Sequence, residues 1–179
     1  AIFDRSVDLA DEGFDLAIRL TKTPPEFLVA KPLMPIDYVL CASPAYLDGK
    51  AIASPNDLTD LNCLSYGYQK LSNEWTFQND GQTETVKVSG NLIVNRSEVV
   101  RDLMLAGIGI GLVARYAVEK DLQTGALKEV IHDWRPTGSF NQTAYAIWQP
   151  QTHLPHKTRL FVDFVTKSLE QNNTQLAHI

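Results

Sequence analysis

Three groups of residues in this chain could do chemistry. The first would capture an anion. Arg19 closes the alternating stretch Phe14–Leu20, and a planar guanidinium can hold a carboxylate through two parallel hydrogen bonds. Asp15 shares that strand face, so an internal ion pair competes for the same charge. Asn95, Arg96 and Ser97 open a helical pattern, where unpaired backbone N–H groups and the helix dipole seat negative charge. Asn95 with Glu98 also has capping-box spacing, and capping and ligand binding are compatible there. Ser43, followed by Pro44, starts another helix, with capping as its simplest role. Tyr66 and Tyr68 end a short strand and could supply an aromatic wall. Val113, after a glycine-rich turn, could touch a ligand or pack in the core.

The second group would bind metal or react as thiols. Cys41 and Cys63 stand 22 positions apart without a CxxC pattern, which reads as two small buried residues. His153 and His156 have HxxH spacing, but Pro155 interrupts it and no third ligand lies nearby, so a surface loop is expected. The third group is Gly107, Gly109 and Gly111, in the run G-I-G-I-G. A dinucleotide-binding loop follows a strand and enters a helix; this run follows a helix and enters a strand. A helix stop with tight packing is the reading it supports. Neither a GxSxG elbow nor a GxxxxGK[ST] phosphate loop is present. No catalytic residue, metal or cofactor is expected, and the chain is not read as an enzyme.

The elements that must position these residues alternate between helix and strand. Ser6 can cap a short helix over Val7–Glu12 that stops at Gly13. Phe14, Leu16, Ile18 and Leu20 then form one apolar strand face. Phe27–Leu33 and Ile36–Ala42 are extended, interrupted at Pro35. Ser54-Pro55 with Asp57 repeats the helix-start device of Ser43-Pro44. Cys63–Tyr68, Trp75–Gln78 and Thr85–Val94 are strand-like, the last two around the turn Asn79-Asp80-Gly81. A helix from Asn95 to about Ala106 carries the stripe Val99, Val100, Leu103 and Met104. Ile108–Ala114, Leu127–Ile131 and Ala144–Trp148 are further strands, and Tyr116–Asp121 a short helix. Trp134–Gln142 reads as a polar connection and His156–Glu170 as an amphipathic helix. The tail from Gln171 is expected to be disordered. This alternation indicates an α/β fold.

With 179 residues, 44% of them hydrophobic, the chain can build one large domain or two small lobes. Its net charge of -5 and lack of Lys/Arg runs disfavour nucleic-acid binding by this segment itself. Residues 1–20 carry five carboxylates and no apolar signal-peptide core, and no stretch approaches a membrane span. A cytoplasmic location is expected. The chain opens at Ala1 inside patterned sequence and reads as a piece of a longer protein.

Four segments together resemble the regulatory domain of LysR-type transcriptional regulators. They are Asp4-Arg5-Ser6-Val7-Asp8-Leu9 running on through Glu12-Gly13-Phe14-Asp15-Leu16-Ala17-Ile18-Arg19; Val39-Leu40-Cys41-Ala42-Ser43-Pro44-Ala45-Tyr46-Leu47; Val94-Asn95 with Glu98 and Arg101, leading into Leu105-Ala106-Gly107-Ile108-Gly109-Ile110-Gly111-Leu112; and Leu154-Pro155 with Lys157, Arg159, Phe161, Asp163 and Phe164. They fall in family order over residues 1–166. The family's N-terminal winged helix-turn-helix and the opening strand–helix–strand of its first lobe have no counterpart in these 179 residues.

The resemblance implies a two-lobed fold like that of type 2 periplasmic binding proteins, with two crossing strands. Residues 1–40 and 140–179 would form the first lobe and residues 41–139 the second. A small effector, expected to be a carboxylate, would bind between the lobes, with Arg19 at the family position where a cation can face the cleft. Arg19, Ser43, Tyr66, Tyr68, Asn95, Arg96, Ser97 and Val113 are the expected ligand contacts. The domain is expected to form a homodimer or homotetramer, with Val100 and Met104 of the Arg96–Ala106 helix as candidate contact residues unless that stripe is core. DNA would be contacted only through an N-terminal domain outside this chain. The alternative is a solute-binding protein of a transport system with the same fold.

Overall fold

A computed structural model describes residues 8, 9, 11–66, 73–94, 96–151 and 155–176. In chain order, β1 (Ala17–Thr21), β2 (Val29–Ile36) and β3 (Tyr38–Ala42) precede the short helix α1 (Pro44–Leu47). Then come β4 (Cys63–Tyr66), β5 (Glu74–Asn79), β6 (Gln82–Lys87), β7 (Ile93–Val94), α2 (Ser97–Leu105), β8 (Ile110–Ala114) and α3 (Arg115–Thr124). β9 (Lys128–Glu129), β10 (Arg135–Thr137), β11 (Gln142–Trp148) and α4 (His156–Leu176) complete the order. The chain divides into two compact units, one spanning Asp37–Asn141 and the other combining described residues of Ser6–Ile36 and Gln142–Ile179.

The Asp37–Asn141 unit is built on a five-stranded sheet in the order β7-β4-β8-β3-β9. β4 runs parallel to both β7 and β8, while β3 and β9 run antiparallel to their partners. Every residue of β3 and β8 is buried, because the sheet is covered on both faces; this is why both segments read as continuous apolar runs. On one face Val39, Cys41, Leu64 and Val113 pack against Val100 and Met104 of α2 and Val118 of α3. Val100 and Met104 are fully enclosed. They are therefore core, not the self-association surface considered from the sequence. Val99, expected in the same stripe, is exposed instead, because it sits one residue before Val100 and a helix turns about 100° per residue.

The glycine run is explained by packing. Gly107, at φ +73, ends α2 in the left-handed conformation. A side chain at Gly109 would strike the Asn62 carbonyl oxygen, and one at Gly111 would meet Met104 Sδ and Val100. α2 thus lies directly on the bare backbone of β8.

A second sheet in this unit, β10-β5-β6, contains the hairpin around Asp80-Gly81, both at positive φ and flanked by the pair Asn79↔Gln82. Two expectations change here. Thr85–Val94 is not one strand but β6 and β7, separated where Gly90 presses against the Cys63 carbonyl. Arg135–Thr137, expected as irregular, pairs with β5.

The other unit holds the sheet β1-β11-β2 and α4. β2 continues through Pro32 and Pro35 because it is an edge strand, where a missing N–H costs no ladder bond; the chain breaks at Asp37 instead. Two turn bonds, Glu12 N–H to the Asp8 carbonyl and Phe14 N–H to that of Leu9, close the turn before β1, with Gly13 at φ +69. Ser6 and Val7 lie outside the described residues. α4 extends to Leu176, so part of the expected disordered tail is helical.

Candidate functional site

The register of the five-stranded sheet decides which predicted residues can meet. Tyr38 pairs with Ala114, so the start of β3 lies beside the end of β8. Tyr66 pairs with Val94, and β4 and β8 run in register from Cys63↔Ile110. The carboxyl ends of β4, β7 and β8 therefore share one sheet edge. In α/β sheets, ligands bind outside the carboxyl ends of the strands. Both longer helices of this unit also begin at that edge: α2 two residues after β7, and α3 directly after β8.

Three predicted residues gather there. Tyr66 ends β4, Arg96 is the N-cap of α2, and Ser97 is its first residue. Arg96 caps with no side-chain hydrogen bond, so the first N–H groups of this nine-residue helix keep their electrostatic pull. Arg96 Nε lies 3.6 Å from Glu98 Oε2 in a solvent-exposed pair. Exposure makes such a pair weak and easily exchanged for another anion. The expected capping box centred on Asn95 is replaced by a cap at Arg96; Asn95 itself, like Tyr68, lies outside the described residues.

Two predicted residues are placed elsewhere. Ser43 is buried at the opposite sheet edge, where its Oγ accepts a 3.4 Å hydrogen bond from the Tyr46 N–H. A Cβ at Gly107 would sit 3.7 Å from that oxygen, so Ser43 adjoins the C-terminal end of α2. About 15 Å of helix separates it from the start of α2. Its helix is one turn long, and capping it accounts for the hydroxyl. Val113 is wholly enclosed in the core and presents no surface. In the other unit, Arg19 sits half-buried in the edge strand β1, opposite Tyr145. Asp15, its competing partner in the sequence reading, accepts a 2.6 Å bond from Lys157 of α4.

Two arginines were not singled out from the sequence as organising residues. Arg101 of α2 grips Asp121 of α3 through two bonds, Nε–Oδ2 at 2.5 Å and Nη2–Oδ1 at 2.7 Å. The bond to buried Asp121, reinforced by attraction to Asp102, keeps its guanidinium more firmly protonated than usual. Arg115, the first residue of α3, bonds Asp37 and Glu129. Burial opposes its charge, but the two carboxylates outweigh burial and raise its pKa. Its position directly after the apolar run Ile110–Ala114 was the available signal: a charge there must lie at the carboxyl edge.

The two thiols occupy opposite faces of the sheet. Cys41 packs with Met104, its Sγ 3.8 Å from Sδ, whereas Cys63 faces the Leu58 carbonyl. Burial pushes each up to about 12, so neither is a ready nucleophile. Among the described residues no cluster of His, Cys, Asp and Glu could hold a metal ion.

The family described as the LysR substrate binding domain matches residues 2–170. The chain belongs to that family. It is 33% identical over 171 residues to the probable HTH-type transcriptional regulator LtrA of Klebsiella pneumoniae, covering 95% of this chain and 55% of that protein. Against the HTH-type transcriptional activator TtdR of Escherichia coli K12 it is 29% identical, with 95% and 54% covered. The chain thus spans about half the length of these curated relatives, which are transcriptional regulators rather than enzymes. Among solved structures, the full-length virulence activator AphB of Vibrio cholerae, a member of the LTTR family, superposes with TM-score 0.79 at 25% identity, covering 94% of this chain and 56% of that one. The regulatory domain of CrgA from Neisseria meningitidis superposes with TM-score 0.75 at 24% identity, covering 92% and 81%. The fold is the periplasmic-binding-protein-like fold of LysR-type regulatory domains. Among the described residues no helix is long and apolar enough to cross a membrane.

Proposed function

We propose that this chain is the effector-sensing part of a LysR-type transcriptional regulator, and that its effector is a small carboxylate. One observation carries the choice of site: Tyr66, Arg96 and Ser97 lie at the carboxyl edge of β4, β7 and β8, where Arg96, the N-cap of α2, makes no side-chain cap hydrogen bond. Oriented N–H groups and an exchangeable cation there suit an anion. By the family resemblance, the effector would lie between the two lobes, and Arg19 would add a second guanidinium. Binding would bias the regulator only in so far as the effector prefers one lobe arrangement over another. DNA contact would belong to a helix-turn-helix outside these residues. Self-association as a dimer or tetramer would use a surface other than Val100 and Met104, which are enclosed.

The test is a thermal-shift screen of small mono- and dicarboxylates on the intact regulatory domain. At least one should raise Tm saturably, and Arg96→Ala, Ser97→Ala and Arg19→Ala should each weaken that shift. Undiminished protection of all three variants by a saturating carboxylate rules the assignment out. Ser43→Ala should change the ligand-induced shift little.

A further inference from the structure

Among the described residues the chain passes between its two units at Ile36–Asp37 and again at Asn141–Gln142. Within the Ser6–Ile36/Gln142–Ile179 unit, Ile36 pairs with Gln142, so both strands are tied immediately before the crossings. Within the Asp37–Asn141 unit the roots are tied again, by two different devices. Tyr38 and Phe140 meet edge to face with ring centroids 5.3 Å apart, and Phe140 also meets Trp75 edge to face at 6.3 Å. Asp37 is held by one residue at two points. Its carbonyl accepts the Arg115 N–H at 2.8 Å, and its carboxylate accepts Arg115 Nε at 2.6 Å. The same guanidinium reaches Glu129 Oε2 at 2.8 Å, on the strand paired with the far end of β3.

We infer that Arg115 is a positioning residue for the crossings, fixing the direction in which the chain leaves the Asp37–Asn141 unit and confining bending to the two crossing peptides. The Asp37 side chain is 70% exposed, so that ion pair by itself would be weak. Its effect comes from geometry. A planar guanidinium held by two carboxylates cannot swivel freely, and the first N–H of α3, otherwise without an intrahelical acceptor, locks the Asp37 peptide. Arg101–Asp121 is the internal control: it joins α2 to α3 and touches neither crossing. The inference concerns the crossings alone and does not depend on the effector reading.

The experiment is pulsed dipolar EPR on the whole chain, spin-labelled through Thr83→Cys on β6 and Lys167→Cys on α4, both exposed and one in each unit. The buried native thiols leave the introduced ones to react. Arg115→Ala should widen the inter-label distance distribution about twofold, as expected for a released hinge. Arg115→Lys, which keeps charge but loses the fork, should fall between Arg115→Ala and the parent. Arg101→Ala should lower Tm while leaving the width unchanged. Asp37→Ala, which removes one bond at an exposed position, should widen the distribution less than Arg115→Ala, and serves as the decisive variant if Arg115→Ala does not fold. An unchanged width in Arg115→Ala, or in a folded Asp37→Ala should Arg115→Ala fail to fold, overturns the inference. Equal widening in Arg101→Ala does so as well.

Discussion

The two units bury their apolar residues very differently. Of the twelve largest fully enclosed side chains among the described residues, eleven lie in the Asp37–Asn141 unit; Ile147 alone lies in the other. The latter exposes Ile18, Leu20, Phe27, Val29, Leu160, Phe161 and Phe164. The first unit sandwiches its main sheet between packed elements, so its fold carries its own hydrophobic stabilisation. Among the described residues the second is a three-stranded sheet with both edges unpaired by named strands; its helix buries Val162 and Thr158 and pairs Lys157 with Asp15, just before β1, at the surface. An apolar face is thus not the same as a buried one. Alternation correctly places Ile18 and Leu20 on a common strand face, yet that face is exposed on β1.

This contrast can be broken most directly in the cores. Phe77→Ala should cost about 3–5 kcal/mol, and Met104→Ala about 2–5 kcal/mol, of unfolding free energy in urea titrations, because each leaves a cavity in a closed core. Losses under ~1 kcal/mol would mean that this core is looser than its burial implies.

A sharper comparison uses alkali. Cys41 and Cys63 have thiol pKa values raised from 9.0 to about 12 by burial, so the folded state holds protons that the unfolded state releases. Their stabilising effect is complete below pH 9 and is lost as pH rises toward about 12. Replacing both by Ser or Ala should remove that component from the pH dependence of Tm between pH 9 and 11. In the native protein at pH 8, reaction with a thiol reagent should proceed only as fast as unfolding or local opening.

Arg101→Met should lower Tm by more than any exposed-charge substitution in the chain, since it strands buried Asp121. A Tm equal to the parent's would show that the pair contributes only geometry. By contrast, Phe164→Ser and Ile18→Thr in the other unit should stay within about 0.5 kcal/mol of the parent, with improved solubility as the visible change. A large loss from either would mean that the exposed face is covered in solution.

The smallest effect concerns the cap at Ser54. Asp57 accepts bonds from the N–H groups of Ala53 and Ser54 and from the Ser54 hydroxyl, and these hold its carboxyl below the ordinary 3.8. A depressed pKa stabilises at neutral pH, and that contribution disappears as pH falls through the folded-state value. Asp57→Asn should therefore flatten the acid side of the stability profile slightly and leave neutral Tm nearly unchanged.

Particular residues show what was legible in the sequence. The Ser54–Asp57 capping pattern, the Asp80-Gly81 hairpin and the Gly107 stop all appear where local chemistry puts them, because each depends on neighbours within four residues. The cap of α2 at Arg96 and the pairing of Arg135–Thr137 with β5 do not follow from local rules. The placement of the candidate site was readable in part: Tyr66 does end a strand, and Arg96 and Ser97 do open a helix. Ser43 and Ser97 nevertheless resemble each other as helix-start serines, and only the antiparallel run of β3 against β8 places them at opposite sheet edges.

By itself, the chain's order of residues carried the resemblance to the family through four segments in sequence order; it also determined the α/β alternation, the local caps and the glycine stop, because these rest on periodicity and on contacts between near neighbours. Tertiary structure alone decided that Val113 is core, that Ser43 stands away from the start of α2, and that Arg115 reaches back 78 residues to Asp37. Those outcomes depend on strand order and direction. Pairing between distant segments sets both, and no local propensity encodes it.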